Sequence, residues 1–248
     1  MRHPGLFAAL ALLSIASAQA QQEKAADSAA ATFIPWLLQG KEELSQVPFT
    51  DIIRYATGKS VLPVRRDDPT DQRVLQQLGA TLDRVVSRMN EPDSPVQNVA
   101  RINEASAPFE NMIREMLSST EGLSCDFAKN AGDKVQRSGY PDLQLTDNET
   151  KRVYYLDPKL YAKGSRESSF RSFYFEPKVA TNKVREDAVH LILGFQHDGR
   201  KAGHWHFSRW DIVDLAQFKV RLKAEFQGSN RDMYRPEAVV ASGSAAEE

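Results

Sequence analysis

Two acid-bearing segments stand out for the chemistry their residues can do. Pro141-Asp142 and Asp157-Pro158-Lys159 flank a turn-like stretch, Thr146-Asp147-Asn148-Glu149. On a strand, residues two apart share a face, so Asp157 and Lys159 are expected to point the same way. If the segments pair as a hairpin, Asp142 reaches the same spot. Two carboxylates on one face make a hard, oxygen-rich site suited to Mg²⁺. A lysine beside them is placed to orient a water or help deprotonate it. Together these groups are equipped for in-line hydrolysis of a phosphodiester.

The flanking pattern supplies elements to hold these residues. Tyr140 to Leu145 alternates, and Arg152 to Tyr161 is rich in aromatic and β-branched residues, so the two are predicted to form a hairpin. Leu123 to Phe127 is a third, short strand. Upstream the chain is helical from Thr32 to Asn90. There Leu75, Leu78, Leu82, Val85, Val86 and Met89 recur at three- and four-residue spacing. A second helical pattern runs through Val96, Val99 and Ile102, and a third follows Pro108 through Phe109, Ile113, Met116 and Leu117. Downstream, strands are expected over Phe170–Phe175, Ala188–Gln196, His204–Phe207 and Gln217–Gln227, with a short helix at Trp210–Leu215. The fold class is α/β (or α+β): a helical N-terminal half feeding a mixed sheet flanked by helices. The expected organisation is a leader over 21–31, a helical segment over 32–104, an α/β domain over 105–235 and a disordered tail over 236–248.

The pair of motifs, with a helix before it and strands around it, resembles the PD-(D/E)xK nuclease superfamily of restriction-endonuclease-like proteins. The resemblance covers about Pro108 to Gln196. It implies that Asp142 and Asp157 are metal ligands and that Lys159 assists the attacking water. It also implies a glutamate on the preceding helix that completes the site, for which Glu110 is the first choice and Glu115 the second. Two departures stand beside it. Pro158 occupies a position where the family commonly has an aliphatic residue, and proline belongs on an edge or at a bulge. Glu176-Pro177-Lys178 repeats the acid-Pro-Lys pattern further along.

Charge is compatible with a nucleic-acid partner, DNA before RNA. The net charge is −1 overall, which excludes a globally basic binder. From Lys151 to Arg185, however, nine Lys/Arg face three Asp/Glu. Lys163, Arg166, Arg171 and Lys178 in this stretch are candidate phosphate contacts, and the interleaved aromatics are either base-stacking groups or sheet core. His197, His204 and His206 around a predicted hairpin turn offer an alternative cluster for Zn²⁺ or copper. Cys125 is the only cysteine, so no intramolecular disulfide forms, and a buried structural role is expected for it.

Residues 1–20 read as a cleavable secretory signal peptide: a basic Arg2-His3 opening, an apolar run from Leu6 to Ala16, and Ala18-Gln19-Ala20 at the end. The run is shorter than the ~20 residues a membrane-spanning helix needs, and no later segment reaches that length. The sequence therefore predicts a secreted or periplasmic Mg²⁺-dependent nuclease with no membrane span after cleavage. Its alternatives are a non-catalytic module binding a protein or envelope component on the same scaffold, and a His-hairpin metal-binding protein.

Overall fold

The computed structural model describes residues 30–39, 43–169, 172–223 and 225–243. The expected signal peptide over 1–20 lies outside the described residues. Two units are distinguished, one spanning Val47–Val220 and the other comprising the ends of the chain. In the terminal unit the described residues include a helix over 30–39, a 3₁₀ turn at Glu43–Ser45 and a one-turn helix at Asn230–Met233.

Within Val47–Val220 the long helical stretch breaks where proline and polar clusters dictate. Helix α1 (Phe49–Thr57) ends at Gly58, whose φ of 71° is left-handed and suits a residue without Cβ. Strand β1 (Val61–Leu62) follows. Helix α2 (Pro69–Met89) begins where Asp68 accepts hydrogen bonds from the Thr70 and Asp71 amides, with proline at its first position. The pattern after Met89 is not a helix: Pro95–Asn98 and Ile102–Glu104 are separate 3₁₀ turns. Helix α3 (Ser106–Ser118) then carries Phe109, Ile113 and Leu117 on its buried face.

The other strands of the main sheet are β2 (Leu123–Phe127), β3 (Leu143–Asp147), β4 (Val153–Ala162), β5 (Ala188–Lys201) and β6 (His204–Asp214). They form a six-stranded mixed sheet in the order β1-β5-β4-β3-β2, with β6 also paired to β5. β4 runs parallel to β5 and antiparallel to β3. Both faces of its first half are buried. Tyr154 and Leu156 join a core with α2 and α3, while Val153 and Tyr155 face Phe49 and Ile53 of α1. That explains why this strand reads as a continuous aromatic and apolar run. Cys125 is buried in the first of these cores, and burial pushes its thiol up to about 12.

Three expectations are corrected. Among the described residues of 170–175, Ser172–Phe175 form no strand; Phe173 and Phe175 instead pack onto the α1 cluster. Trp210–Asp214 is not helical but continues β6, and a 3₁₀ turn starts only at Leu215. The alternating segment Gln217–Gln227 contributes only Lys219–Val220, paired with Val47–Pro48. Among its other described residues no strand pairing follows, and Leu222 and Phe226 are exposed.

Candidate active site

The hairpin sets the geometry of the site. β3 and β4 pair with Leu143 opposite Leu156, and one step further along that antiparallel register Asp142 stands opposite Asp157. The Asp142 carbonyl accepts from the Ala128 amide at 3.1 Å, which keeps the start of β3 against the end of β2. Pairing of β4 with β3 stops at Leu156, so Pro158 lies beyond the last paired residue on that flank, as on an edge.

Asp157 is 2% exposed and its Oδ2 lies 2.8 Å from Lys159 Nζ. The same oxygen accepts no well-angled hydrogen bond, so the ammonium neutralises it without filling its lone pairs. Asp142 and Asp157 line the same cleft. Burial first, then the charge and hydrogen bond of Asp157, push the Asp142 carboxyl up to about 8. Glu110 projects from α3, anchored on either side by the buried Phe109 and Ile113. Its Oε2 accepts from Arg137 Nη2 at 2.8 Å. Glu110, Arg137, Tyr140, Asp142, Asp157 and Lys159 line one cleft of about 360 Å³. Glu115 is exposed and lies outside this lining. Glu176 and Lys178 form an exposed ion pair of their own, also outside it.

The corner that presents Asp142 is braced from behind. Tyr140 Oη and His190 Nδ1 are 2.6 Å apart and both residues are buried. Burial holds the imidazole down to about 3, so His190 is neutral at ordinary pH. Its ring stacks on Tyr140 and meets Phe49 and Tyr155 edge-on.

Two cationic residues of this region have no counterpart in the sequence reading of the site. Arg137 donates Nη1 to Asn111 Oδ1 at 3.1 Å as well as Nη2 to Glu110, and its guanidinium lies 3.9 Å from the centre of the Phe127 ring. Lys183 is 1% exposed and donates to the Gln136 carbonyl at 3.1 Å. Burial lowers the pKa of its ammonium, while the charges of Asp142, Asp157 and Glu110 pull the other way. Both residues sit in irregular segments, where no periodicity marks a side chain as pointing inward.

The surface candidates are spread out. Lys163, Arg166 and Lys178 are exposed and do not line the carboxylate cleft, and Arg166 pairs with Asp211 at 3.3 Å. Arg171 lies outside the described residues. The histidine cluster does not form. A register shift in the β5–β6 pairing sets His197 opposite Phe207, and His197 is buried edge-on against Trp205. His204, by contrast, is exposed, and His206 pairs with Asp198 at 3.2 Å. These three residues therefore do not converge to hold Zn²⁺ or copper.

Among the described residues no three His, Cys, Asp or Glu side chains make a ready metal cage. Mg²⁺ does not need one, since it commonly keeps several waters and takes one or two carboxylates plus substrate phosphate oxygens. The Asp142–Asp157 pair, with the under-used Oδ2 of Asp157, fits that requirement.

Comparison with known proteins gives a consistent picture. The profile of the type II restriction enzyme MjaV family matches residues 43–237. The type II restriction enzyme MjaV of Methanocaldococcus jannaschii is 25% identical over 220 residues, covering 82% of this chain and 92% of that relative. These matches overturn the expectation of a secreted or periplasmic protein, because type II restriction enzymes are cytoplasmic. No helix among the described residues is long and apolar enough to cross a membrane.

Proposed function

This chain belongs to the type II restriction enzyme MjaV family, and on that premise we propose that it hydrolyses phosphodiester bonds of DNA with Mg²⁺ at the β3–β4 hairpin. One observation carries the reading: Asp142 and Asp157 meet across the hairpin, with Lys159 Nζ 2.8 Å from Asp157. In this reading Asp142 and Asp157 hold the cation and Glu110 completes its surroundings, as in the PD-(D/E)xK arrangement that the sequence resembles. Bound there, Mg²⁺ supplies a positive charge that polarises the phosphodiester and acidifies a neighbouring water. Lys159 is placed to orient that water for in-line attack. Asp142 would take part as a carboxylate, because a cation held there would offset the repulsion that otherwise keeps its proton on.

The test is cleavage of unmethylated plasmid DNA of mixed sequence by the purified protein with Mg²⁺, with RNA as the control polymer. D157N and K159M are each expected to lower the rate by about a hundredfold or more, the scale of losing a positioned catalytic group. Unfolding midpoints confirm that the variants fold. Wild type that leaves DNA intact, or folded D157N that cuts at the wild-type rate, would overturn the assignment.

A further inference from the structure

Arg137 occupies the carboxylate cleft without a role in the chemistry just described. Three groups hold it: Glu110 Oε2 at 2.8 Å, Asn111 Oδ1 at 3.1 Å, and the face of Phe127 with the guanidinium carbon 3.9 Å from the ring centre. Its side chain is nonetheless 42% exposed, whereas the Glu110 side chain it grips is only 9% exposed. The ion pair therefore joins a deep carboxylate to a guanidinium at the mouth of the cleft. Glu110 gives Arg137 an oxygen that it also needs for a cation. When that oxygen turns to the cation, the guanidinium keeps its stacking on Phe127 and loses its anionic partner. A planar fork with free N–H groups, on the rim above Asp142 and Asp157, is the geometry that grips two phosphate oxygens at once.

We propose that Arg137 is a catalytic residue that exchanges Glu110 for the scissile phosphate, binding its non-bridging oxygens once Glu110 has turned to the cation. The inference rests on the reading of this cleft as a phosphodiester-hydrolysing site. It assigns the Glu110–Arg137 pair a resting function, in which each group satisfies the other until substrate and cation arrive together. Lysine cannot take over fully, since an ammonium is a point charge and makes no two-oxygen fork.

The experiment compares wild type, R137M and R137K in two measurements on the full chain. The first is cleavage of mixed-sequence plasmid DNA at saturating Mg²⁺. The second is the Mg²⁺ concentration that half-maximally raises the unfolding midpoint in the absence of DNA. R137M is expected to cut about a hundredfold more slowly, the loss seen when one charge-stabilising donor is removed, and R137K to recover only part of that. Mg²⁺ is expected to act on R137M at the same or a lower concentration than on wild type, because Glu110 has lost its competitor. R137M that cuts at the wild-type rate, or R137K that restores it fully, overturns the proposal. So does an R137M protein that no longer responds to Mg²⁺, since Arg137 would then merely hold Glu110 in place. Failure of the wild type to cut DNA strikes the phosphodiesterase reading itself and is distinguishable from all of these.

Discussion

Replacing Asp142 with asparagine tests the electrostatics of the cleft without any substrate. In the metal-free protein the Asp142 carboxyl is raised from 3.8 to about 8, by burial and then by Asp157. Between these values the folded protein keeps a proton that the unfolded chain has released. Stability must therefore fall as pH rises from about 4 towards about 8 and level off beyond it. At ~1.4 kcal/mol per pH unit, the full gap caps the loss at ~6 kcal/mol. Water entering the open cleft and relaxation around the charges lower that ceiling. Asparagine resembles the protonated acid and cannot ionise, so D142N escapes the decline. Urea unfolding with a metal chelator, at intervals from pH 5 to pH 9, reads this directly. Between pH 5 and pH 9 wild type should lose ~2–4 kcal/mol relative to D142N, the upper figure being the limit set by the span from pH 5 to about 8. Added Mg²⁺ should stabilise wild type at pH 9 and leave D142N almost unmoved. Parallel pH profiles for the two proteins would refute the claim that like charge is crowded at this hairpin.

Two further predictions concern the frame that holds the site. Arg152 bonds Asp68 at 2.8 Å and Asp71 at 2.7 Å, and Asp71 is 1% exposed. R152M leaves that buried carboxylate only neutral donors, the Tyr154 hydroxyl and the Arg65 amide, and should cost ~2–4 kcal/mol in urea unfolding at pH 7; a change below ~0.5 kcal/mol would mean that those two donors suffice. Phe109 is fully buried, with its ring 4.5 Å from Phe195 and 4.9 Å from Phe207 between centres. F109A should cost ~3–5 kcal/mol and, because Glu110 is the next residue, should raise the Mg²⁺ needed for cleavage.

The hairpin was legible because its signals are local. Alternation in Tyr140–Leu145, the aromatic run of β4 and the turn between them all lie within a short span, and the register that places Asp142 opposite Asp157 follows from that turn. The stripe of α2 was legible for the same reason, since its apolar spacing needs no knowledge of the partner. Failures came where a segment's state depends on neighbours distant in sequence. Trp210–Asp214 is a strand because β5 extends far enough to pair with it, and nothing within the segment says so. Gln217–Gln227 alternates, yet only Lys219 and Val220 find a partner strand. Glu110 could be proposed because α3 is periodic and the superfamily pattern asks for an acid there. Arg137 and Lys183 left no such trace, since a buried or half-buried cation on an irregular segment looks like any other surface charge until its surroundings are known. Export was inferred from residues 1–20 alone, and the family match over 43–237 outweighs that inference.

The connection between β2 and β3 has a consequence for how such proteins diversify. It leaves the sheet at Ala128 and returns at Asp142, and its first part is closed by the Lys129–Val135 bridge and a hydrogen bond from the Asn130 amide to the Lys134 carbonyl. The entropy of closing a loop grows only slowly with its length. Residues can be added or removed between Lys129 and Val135 without disturbing the pairing that sets Asp142 opposite Asp157. The length of this connection is therefore open to change while Arg137 and the opposing carboxylates stay fixed.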